Sequence, residues 1–217
     1  MPHPLLQWFH DAADGRHPPV DGGVTFLPVL DDGREAVVAF TGHAVIASRL
    51  GSDDLIELRP DGFGGALAPS VLLRLAAGGT IGVNDVTMVA RGTGPAGDGG
   101  VVLEHTRRWD HHPRVAHARL VRRAVEVYGD ERGFVTIGGG LGGRLELSIE
   151  IVDAHRGTGH GRGLLDQARG LVANGEPLFA AVAPGNARSL RSFLAAGFVP
   201  IASEILVSPH ESPDAFR

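Results

Sequence analysis

Apolar and polar residues alternate along three stretches in the second half of the chain, and this period of two predicts strands. The predicted strands lie at residues 122–128, 133–137 and 144–152. The glycine-rich segments "GDERG" and "GGGLGG" separate them, so we expect antiparallel hairpins.

The period changes after the third of these strands. Between residues 161 and 174 the apolar residues recur at helical spacing, which predicts a helix that ends before Gly175. The remaining predicted elements are a strand at 178–183, a helix at 187–196 and a strand at 198–207. A strand, a helix and a strand in succession form one crossover unit, so we expect a mixed α/β fold with a mostly antiparallel sheet flanked by helices.

The first half of the chain shows the same two periods in shorter segments. Strands are expected in "GVTFLPVL", "REAVVAFTGHAVIAS" and "TIGVNDVTMVA", and a helix in "APSVLLRLAAGG". Residues 92–100, "GTGPAGDGG", have little to bury and are predicted to be a linker. We therefore expect a smaller α/β domain at 1–100 and a second domain at 101–217. The first has no cofactor of its own and no motif that indicates a role, and it is either a degenerate, half-size copy of the second domain or an unrelated cap.

Composition narrows the class of function. The 217 residues carry a formal net charge of −5, so no basic field indicates nucleic acid or an anionic membrane as a partner. The absence of cysteine excludes disulfides, thiolate metal ligands and a cysteine nucleophile. Neither a signal peptide nor an apolar run of membrane-spanning length is found, so we expect a cytoplasmic protein. Arginine supplies all 20 of the basic residues other than histidine, which is typical of GC-rich bacterial genes.

The segment "DAHRGTGHGRG", residues 153–163, places four glycines and two arginines between a predicted strand and a predicted helix. Amides at a helix N-terminus are unpaired, and glycine lets a bulky anion approach them. The pattern indicates a phosphate site, although a tight turn in a glycine-rich protein explains it equally well. A nucleoside-triphosphate loop is excluded because no Gly-Lys-Ser/Thr follows, and the next strand lacks the acidic residue of a dinucleotide-binding fold.

Two motifs in this half resemble those of the GNAT superfamily of acyl-CoA-dependent N-acetyltransferases. Arg156, Gly159 and Gly161 match the family pattern Arg/Gln-x-x-Gly-x-Gly/Ala at the start of the central helix. The segment "LFAAVAPGNARSLRSFLAAGFVP" matches its succession of strand, Asn, helix and Gly-Phe. The resemblance covers roughly residues 119–207 and implies a GNAT-type sheet that uses acetyl-CoA as co-substrate.

The resemblance also implies where the cofactor lies. The amides of residues 157–161 are expected to hold the CoA pyrophosphate, and the strands on either side of the helix are expected to splay around the pantetheine. The implied cofactor-binding residues are Ile151, Val152, Arg156, Gly157, Thr158, Gly159, His160, Gly161, Arg162, Asn186, Ser189 and Phe193. Asn186 can also act as a helix N-cap, and Arg188 and Arg191 either meet the cofactor phosphates or stay solvated.

Acetyl transfer to an amine benefits from a general base, because a free alkyl ammonium has a pKa of roughly 10. Along "RLELSIEIV", Glu146, Ser148 and Glu150 share the polar face of a strand, which is either an open cleft or a solvent-facing side. We predict the base to be Glu146, then Glu150, then Glu126 in order of preference. Simple hairpin pairing would bring Glu126 and Thr136 to the same side, where repulsion and burial would raise at least one carboxyl pKa.

The acid that protonates the departing thiolate is less clearly indicated. Many family members have a tyrosine where this chain has Phe193, which cannot donate a proton. Tyr128 is the single tyrosine of the chain and therefore the one phenolic alternative. The histidines at 105, 111, 112 and 117 fit no usual zinc spacing, so we expect no metal, while a role in acceptor binding or proton transfer stays open.

Three functions remain open from the sequence. The leading prediction is an N-acetyltransferase that passes acetyl directly from acetyl-CoA to a small-molecule or peptide amine. The second is an acyl-CoA-binding sensor or regulatory protein without turnover, which Phe193 favours. The third is a nucleotide-binding protein of another class. The sequence is compatible with a homodimer and does not indicate the acceptor.

Overall fold

The computed structural model of the chain describes residues 2–95, 103–155 and 159–210. The helices in these ranges are α1 (Leu5–Ala13), α2 (Ser52–Leu55), α3 (Pro69–Ala76), α4 (Pro113–Val121), α5 (His160–Gly170) and α6 (Ala187–Ala195). The strands are β1 (Val24–Leu27), β2 (Glu35–Phe40), β3 (His43–Ala47), β4 (Thr80–Ile81), β5 (Asp85–Arg91), β6 (Glu104–His105), β7 (Arg123–Asp130), β8 (Gly133–Gly139), β9 (Leu145–Ile151), β10 (Pro177–Val182) and β11 (Val199–Ser208). No helix in the described ranges is both long and apolar enough to cross a membrane.

The backbone divides into two compact units, Met1–Val86 with Ile201–Arg217, and Thr87–Pro200. The sequence instead places the boundary after residue 100 and assigns the whole remainder to one domain. The observed division falls within β5, and most of β11 belongs to the first unit. An apolar run predicts that a strand is buried, but it does not say which strands it will pair with.

The first unit is built around the antiparallel pair β2 and β3. β1 adds to β3 in parallel, and β11 adds to the other side of β2 in antiparallel register. The buried side of α3, including Val71 and Leu75, packs in one apolar cluster with Val37 of β2 and Ile46 of β3. This cluster forms because both strands are apolar at nearly every position and need cover on the face that α3 supplies.

The helix α1 is one of the elements that the sequence analysis does not predict. Its residues Leu5, Phe9 and Ala12 are buried and recur at helical spacing along one face. The apolar spacing of this segment is sufficient to predict a short helix.

The second unit carries an antiparallel sheet in the order β6–β7–β8–β9, with β10 parallel to β9. The predicted hairpins at "GDERG" and "GGGLGG" are confirmed, and α5 makes the crossover between β9 and β10. Helix α4 packs on β7, and α5 packs on β8 and β9. The predicted fold class is therefore confirmed as mixed α/β, with a largely antiparallel sheet flanked by helices.

Candidate functional site

A cavity of about 390 Å³ opens at the N-terminus of α5, within the second unit. The residues that line it are Ile151, His155, Gly159, His160, Gly161, Arg188, Arg191 and Ser192. The end of β9, the first turn of α5 and one side of α6 therefore face a common space. Three residues also predicted to bind here lie outside the described part of the chain: Arg156, Gly157 and Thr158.

The glycines at the start of α5 keep this space open. Gly159 is the N-cap of α5 and has a φ of +84°, a left-handed conformation that residues with a side chain rarely adopt. A Cβ on Gly161 would lie 3.4 Å from the hydroxyl oxygen of Ser192 on α6. In the described ranges the amides of His160 and Gly161 have no hydrogen-bond partner, and they lie at the positive end of the helix dipole.

The side chains that line the cavity are cationic or neutral. They include two arginines and two histidines and no carboxylate. In the described ranges the guanidinium of Arg188 has no hydrogen-bond partner, and that of Arg191 donates to the carbonyl of Ala187 at 3.2 Å. Both arginines are exposed, so both are available to an anionic ligand. The cavity therefore has the chemistry of a phosphate site.

Five described residues that the resemblance assigns to the cofactor do not line the cavity: Val152, Arg162, Asn186, Ser189 and Phe193. Val152 donates its amide to a carbonyl in the turn between β7 and β8. Arg162 is exposed and lies 3.7 Å from Asp166, one turn further along α5. Phe193 is buried, with its ring edge-on to Phe198 at 4.9 Å between centroids. Packing in the apolar core accounts for Phe193 without a ligand.

Asn186 and Ser189 form the N-cap of α6. The side-chain oxygen of Asn186 accepts a hydrogen bond from the Ser189 amide at 3.1 Å. This is the alternative role that the sequence left open for Asn186, and it satisfies one of the otherwise unpaired amides at the start of the helix.

Asn186→Ala is expected to lower the free energy of unfolding by about 1 kcal/mol, because the Ser189 amide loses its partner. Asn186→Asp retains an acceptor at the same position and is expected to keep the stability of the parent. Denaturant unfolding of the three proteins measures the difference. Equal stability for Asn186→Ala and the parent would show that the cap contributes nothing.

The strands β9 and β10 separate towards the cavity. They are parallel and pair at Glu146 and Phe179, near the start of β9. Both strands lie wholly within the described ranges, and no further position of β9 pairs with β10. The two strands therefore diverge beyond this pair, towards their ends at Ile151 and Val182.

On the polar face of β9, Glu146 is buried between two arginines. Its Oε1 lies 2.7 Å from Nη2 of Arg122, and its Oε2 lies 2.8 Å from Nη2 of Arg144. Arg144 is fully buried beneath the sheet surface, with its guanidinium 5.5 Å from the ring centre of Phe179. Arg122 also donates to the hydroxyl of Thr136 at 3.2 Å. Glu146 is thus the centre of a buried ion-pair group.

The predicted rise in a carboxyl pKa is wrong for Glu146. Burial by itself raises the pKa of this carboxyl, but the charges of Arg144 and Arg122 and their hydrogen bonds outweigh burial and hold the pKa below its ordinary value. The prediction considered neighbouring carboxylates and missed the two arginines. A carboxylate held in its charged form by two cations is poorly suited to accept a proton, so Glu146 is a poor candidate for the general base.

Glu150, the second candidate, keeps its place on the same face of β9. Its side chain is 19% exposed, and its Oε2 accepts a hydrogen bond from Nε of Arg114 at 2.7 Å. Arg114 lies at the start of α4 and is itself 41% exposed, so this pair is reached by solvent. Of the three carboxylates predicted from the sequence, Glu150 best combines the polar face of β9 with access.

The predicted register across the hairpins is wrong for Glu126. Thr136 lies opposite Ser148, and their hydroxyl oxygens are 2.8 Å apart. Glu126 lies opposite Ile137, which is on the other face of the sheet from Thr136. A register irregularity in β7 immediately before Glu126 causes the shift, since one extra residue turns each following side chain to the opposite face.

Glu126 and Tyr128 belong to an exposed group on β6 and β7. Oε2 of Glu126 lies 2.7 Å from Nε2 of His105, and the Tyr128 ring meets the His105 ring edge-on at 5.7 Å between centroids. β8 separates this group from β9. The structure therefore does not bring Glu126 or Tyr128 together with Glu146 or Glu150.

Among the histidines after β6, His112 has local structural contacts. Nδ1 of His112 accepts the Arg114 amide at 3.1 Å as the N-cap of α4, and its ring packs against Phe134. In the ranges that the structure describes, no three His, Asp or Glu side chains come together as a metal site would need.

Comparison with known proteins gives partial matches to solved structures. No family model matches the sequence, and no curated protein matches it. A GNAT-family chain from Novosphingobium aromaticivorans matches with a TM-score of 0.44 and 18% identity, over 60% of this chain and 66% of that one. A GNAT-family acetyltransferase from Colwellia psychrerythraea matches with a TM-score of 0.37 and 12% identity, over 62% of this chain and 59% of that one. This chain thus spans less than two thirds of the length of either structure.

The sequence analysis missed Arg122 and Arg144 as site residues. A signal was present, because a carboxylate predicted to lie on a covered strand needs a cation, and Arg144 stands two residues before Glu146 on the same face. Gly140 belongs to the same group, since a Cβ there would collide with the Glu146 carboxylate. Part of the glycine-rich turn "GGGLGG" is therefore explained by the space this carboxylate occupies.

Proposed function

We propose that the chain is an acyltransferase of the GNAT type, which passes the acetyl group of acetyl-CoA to a small-molecule or peptide amine. The observation that carries the proposal is the cationic cavity at the N-terminus of α5, bordered by the end of β9. The two sequence motifs that resemble the family meet in it, since α5 follows the first motif and α6 lies in the second.

The residues present fit a CoA pyrophosphate. Amides of the first turn of α5 are the donors that an anionic phosphate prefers, and Arg188 and Arg191 add two charges without a competing carboxylate in the lining. Beyond Glu146 and Phe179, β9 and β10 do not pair with each other, and the gap between the two strands is suited to a pantetheine chain. In this proposal the helix holds the phosphates and the separated strands hold the cofactor arm.

Bound acetyl-CoA would supply the acetyl group as a thioester. The chain must then take one proton from the attacking amine as the N–C bond forms and the C–S bond breaks, and one proton must reach the departing sulfur. Glu150 is our candidate for the acceptor of the amine proton, directly or through a water, because it is on the face of β9 that solvent reaches. Phe193 cannot return a proton to sulfur, so water or the released proton serves that step.

A second function is favoured by Phe193. Its buried ring packs on Phe198 at the position where the family resemblance leads one to expect a phenol. An acyl-CoA-binding protein without turnover would keep the cavity and need no proton donor. Binding and turnover must therefore be tested separately.

Acetyl-CoA at one hundred times its dissociation constant is expected to stabilise the fold by about 2.7 kcal/mol. Thermal melts of the whole chain with acetyl-CoA, CoA, ATP or NAD measure this effect, and titration calorimetry is expected to give one equivalent per chain. Arg188→Ala combined with Arg191→Ala should weaken the stabilisation by acetyl-CoA. Arg162→Ala serves as the control, because Arg162 is an exposed arginine in the first turn of α5 that does not line the cavity.

Turnover is then measured as release of free thiol with a panel of primary amines. Transfer to at least one amine supports the enzyme, and binding without transfer to any amine supports the sensor. Stabilisation by ATP or NAD but not by millimolar acetyl-CoA would overturn both and favour another nucleotide-binding class.

A further inference from the structure

In the first unit, a carboxylate, an imidazole and a hydroxyl are hydrogen-bonded in series. Oδ1 of Asp21 lies 2.8 Å from Nδ1 of His43, and Nε2 of His43 lies 3.0 Å from Oγ1 of Thr25. A carboxylate can only accept, so Nδ1 carries a proton, and in the neutral imidazole Nε2 accepts a hydrogen bond from the Thr25 hydroxyl. This order of groups is the one in which a histidine activates a hydroxyl nucleophile.

The local sequence explains why these three groups meet. Asp21, Gly23 and Thr25 follow each other at intervals of two, and the parallel register of β1 with β3 sets Gly23 beside His43. A Cβ on Gly23 would lie 2.8 Å from Oδ1 of Asp21 and 3.1 Å from Cε1 of His43. Glycine at position 23 therefore gives the imidazole room between the carboxylate and the hydroxyl.

The carboxylate and the ring are both held in place. The Gly23 amide donates to Oδ1 of Asp21 at 2.7 Å, and the hydrogen bonds from His43 and then from Gly23 lower the pKa of the Asp21 carboxyl. The Trp8 ring stacks on the imidazole at 5.4 Å between centroids, and His43 is left 7% exposed. Because little water reaches the imidazole ring, water does not compete for its two hydrogen bonds.

Thr25 is more accessible than the His43 ring. It is half-buried and lies on β1, the edge strand of its sheet. The carbonyl of Gly23 accepts from Ala44 of β3, and that of Leu27 accepts from Ser48, just after β3. The amides of Val24 and Phe26, on the alternate positions of the strand, therefore point away from β3 to the open edge. These amides are donors that a carbonyl oxygen beside Thr25 could use.

Two large apolar side chains are exposed close to the series. Val20 is 66% exposed and contacts the backbone position of Gly42, next to His43. Phe63 is 71% exposed and lies against Gly22, next to Asp21. An acyl or aryl group could pack on these side chains while its carbonyl carbon lies near Thr25.

We propose that Asp21, His43 and Thr25 form a second catalytic site, which hydrolyses esters with a small apolar acyl or aryl group. The site lies in the first unit, so it does not depend on the function proposed for the cavity at α5. Thr25 is the nucleophile, His43 is the general base and acid, and Asp21 is a positioning residue for His43.

The reaction balances with water as the second substrate. Oγ1 of Thr25 bonds to the ester carbonyl carbon while its proton moves to Nε2 of His43. The carbonyl carbon–oxygen bond to the alcohol then breaks, and the alcohol leaves with that proton. Water attacks the resulting acyl-threonine by the same route, which releases the carboxylic acid and restores the hydroxyl.

The test uses the whole chain with p-nitrophenyl acetate and p-nitrophenyl butyrate, and mass spectrometry to locate an acyl group on the peptide that contains Thr25. Thr25→Val, which keeps the side-chain shape, and His43→Gln are each expected to lower ester hydrolysis by at least about a hundredfold. Thr25→Ser is expected to retain most of it. Asp21→Asn is expected to lower kcat and leave KM unchanged, because it acts through His43 alone.

Two matched controls separate this site from other causes. His3→Gln removes the other buried histidine of the first unit, whose Nε2 is 2.9 Å from the Pro28 carbonyl oxygen, and it should leave hydrolysis unchanged. Thr80→Val removes a threonine hydroxyl on β4, outside the series, and should also leave hydrolysis unchanged. Hydrolysis by a folded Thr25→Val at the rate of the parent, or no hydrolysis by the parent above the buffer blank, would overturn the proposal.

Discussion

Glu146→Gln is expected to lower the free energy of unfolding by about 3–5 kcal/mol at neutral pH. The substitution leaves Arg122 and Arg144 without the carboxylate that both contact within 2.8 Å, and both guanidinium groups are nearly or fully buried. A buried cation without its partner cannot recover the water that it gave up on folding. Denaturant unfolding followed by circular dichroism measures the change.

The effect of Glu146→Gln is expected to shrink in acid. The Glu146 carboxyl has a pKa below its ordinary value in the fold, so its contribution to stability is fully present above the pKa of the unfolded chain and is lost as the pH falls through the folded pKa. The difference in unfolding free energy between parent and variant should therefore be constant near neutral pH and decrease below an unfolded value of about 4.3.

Glu150→Gln is the matched control, with the same substitution on the same face of the same strand. The Glu150 pair with Arg114 is partly exposed, so we expect the free energy of unfolding to change by at most about 1 kcal/mol. If Glu150 accepts the amine proton, this variant should instead lose turnover by about a hundredfold and keep its affinity for acetyl-CoA. A stable but inactive Glu146→Gln would contradict the ion-pair role and restore Glu146 as the base.

Gly161→Asp is expected to weaken acetyl-CoA binding at least tenfold, about 1.4 kcal/mol, relative to Gly161→Asn. The two substituted side chains have nearly the same size, and each begins at a Cβ that would lie 3.4 Å from the hydroxyl of Ser192. They differ in one negative charge, placed in a cavity whose lining otherwise holds no carboxylate. That charge repels phosphate and competes for Arg188 and Arg191.

Relative to Gly161→Asn, Gly161→Asp should weaken acetyl-CoA binding without lowering the stability of the fold. An aspartate in the first turn of α5 interacts favourably with the helix dipole, so Gly161→Asp should fold at least as well as Gly161→Asn. Titration calorimetry at one fixed salt concentration measures affinity, because exposed charges are screened by salt.

Gly163→Asp is the matched control for this series. It places the same charge two residues further along α5, at a position that does not line the cavity and where a Cβ would lie 3.5 Å from Nη1 of Arg132. We expect acetyl-CoA affinity close to that of the parent. Equal acetyl-CoA affinities for Gly161→Asp and Gly161→Asn would contradict the proposal that the N-terminus of α5 binds the cofactor phosphates.

The local elements of the second unit followed from the sequence because they depend on neighbours along the chain. Strand alternation in "RLELSIEIV" predicted the polar face that carries Glu146 and Glu150, and glycine-rich turns predicted both hairpins. The helix that starts at His160 followed from the spacing of its apolar residues, and the cap at Asn186 followed from its place before a helix. Each of these depends on covalent geometry within a few residues.

Tertiary structure decided which of these residues meet. The face occupied by Glu126 depends on an irregularity in β7, and the pKa of Glu146 depends on Arg122, which is 24 residues away in sequence. The series of Asp21, His43 and Thr25 likewise needs the pairing of β1 with β3, which joins groups up to 22 residues apart. Periodicity predicts which face of an element is buried, whereas strand pairing and register are set by contacts between distant segments, and those determine the chemistry of each site.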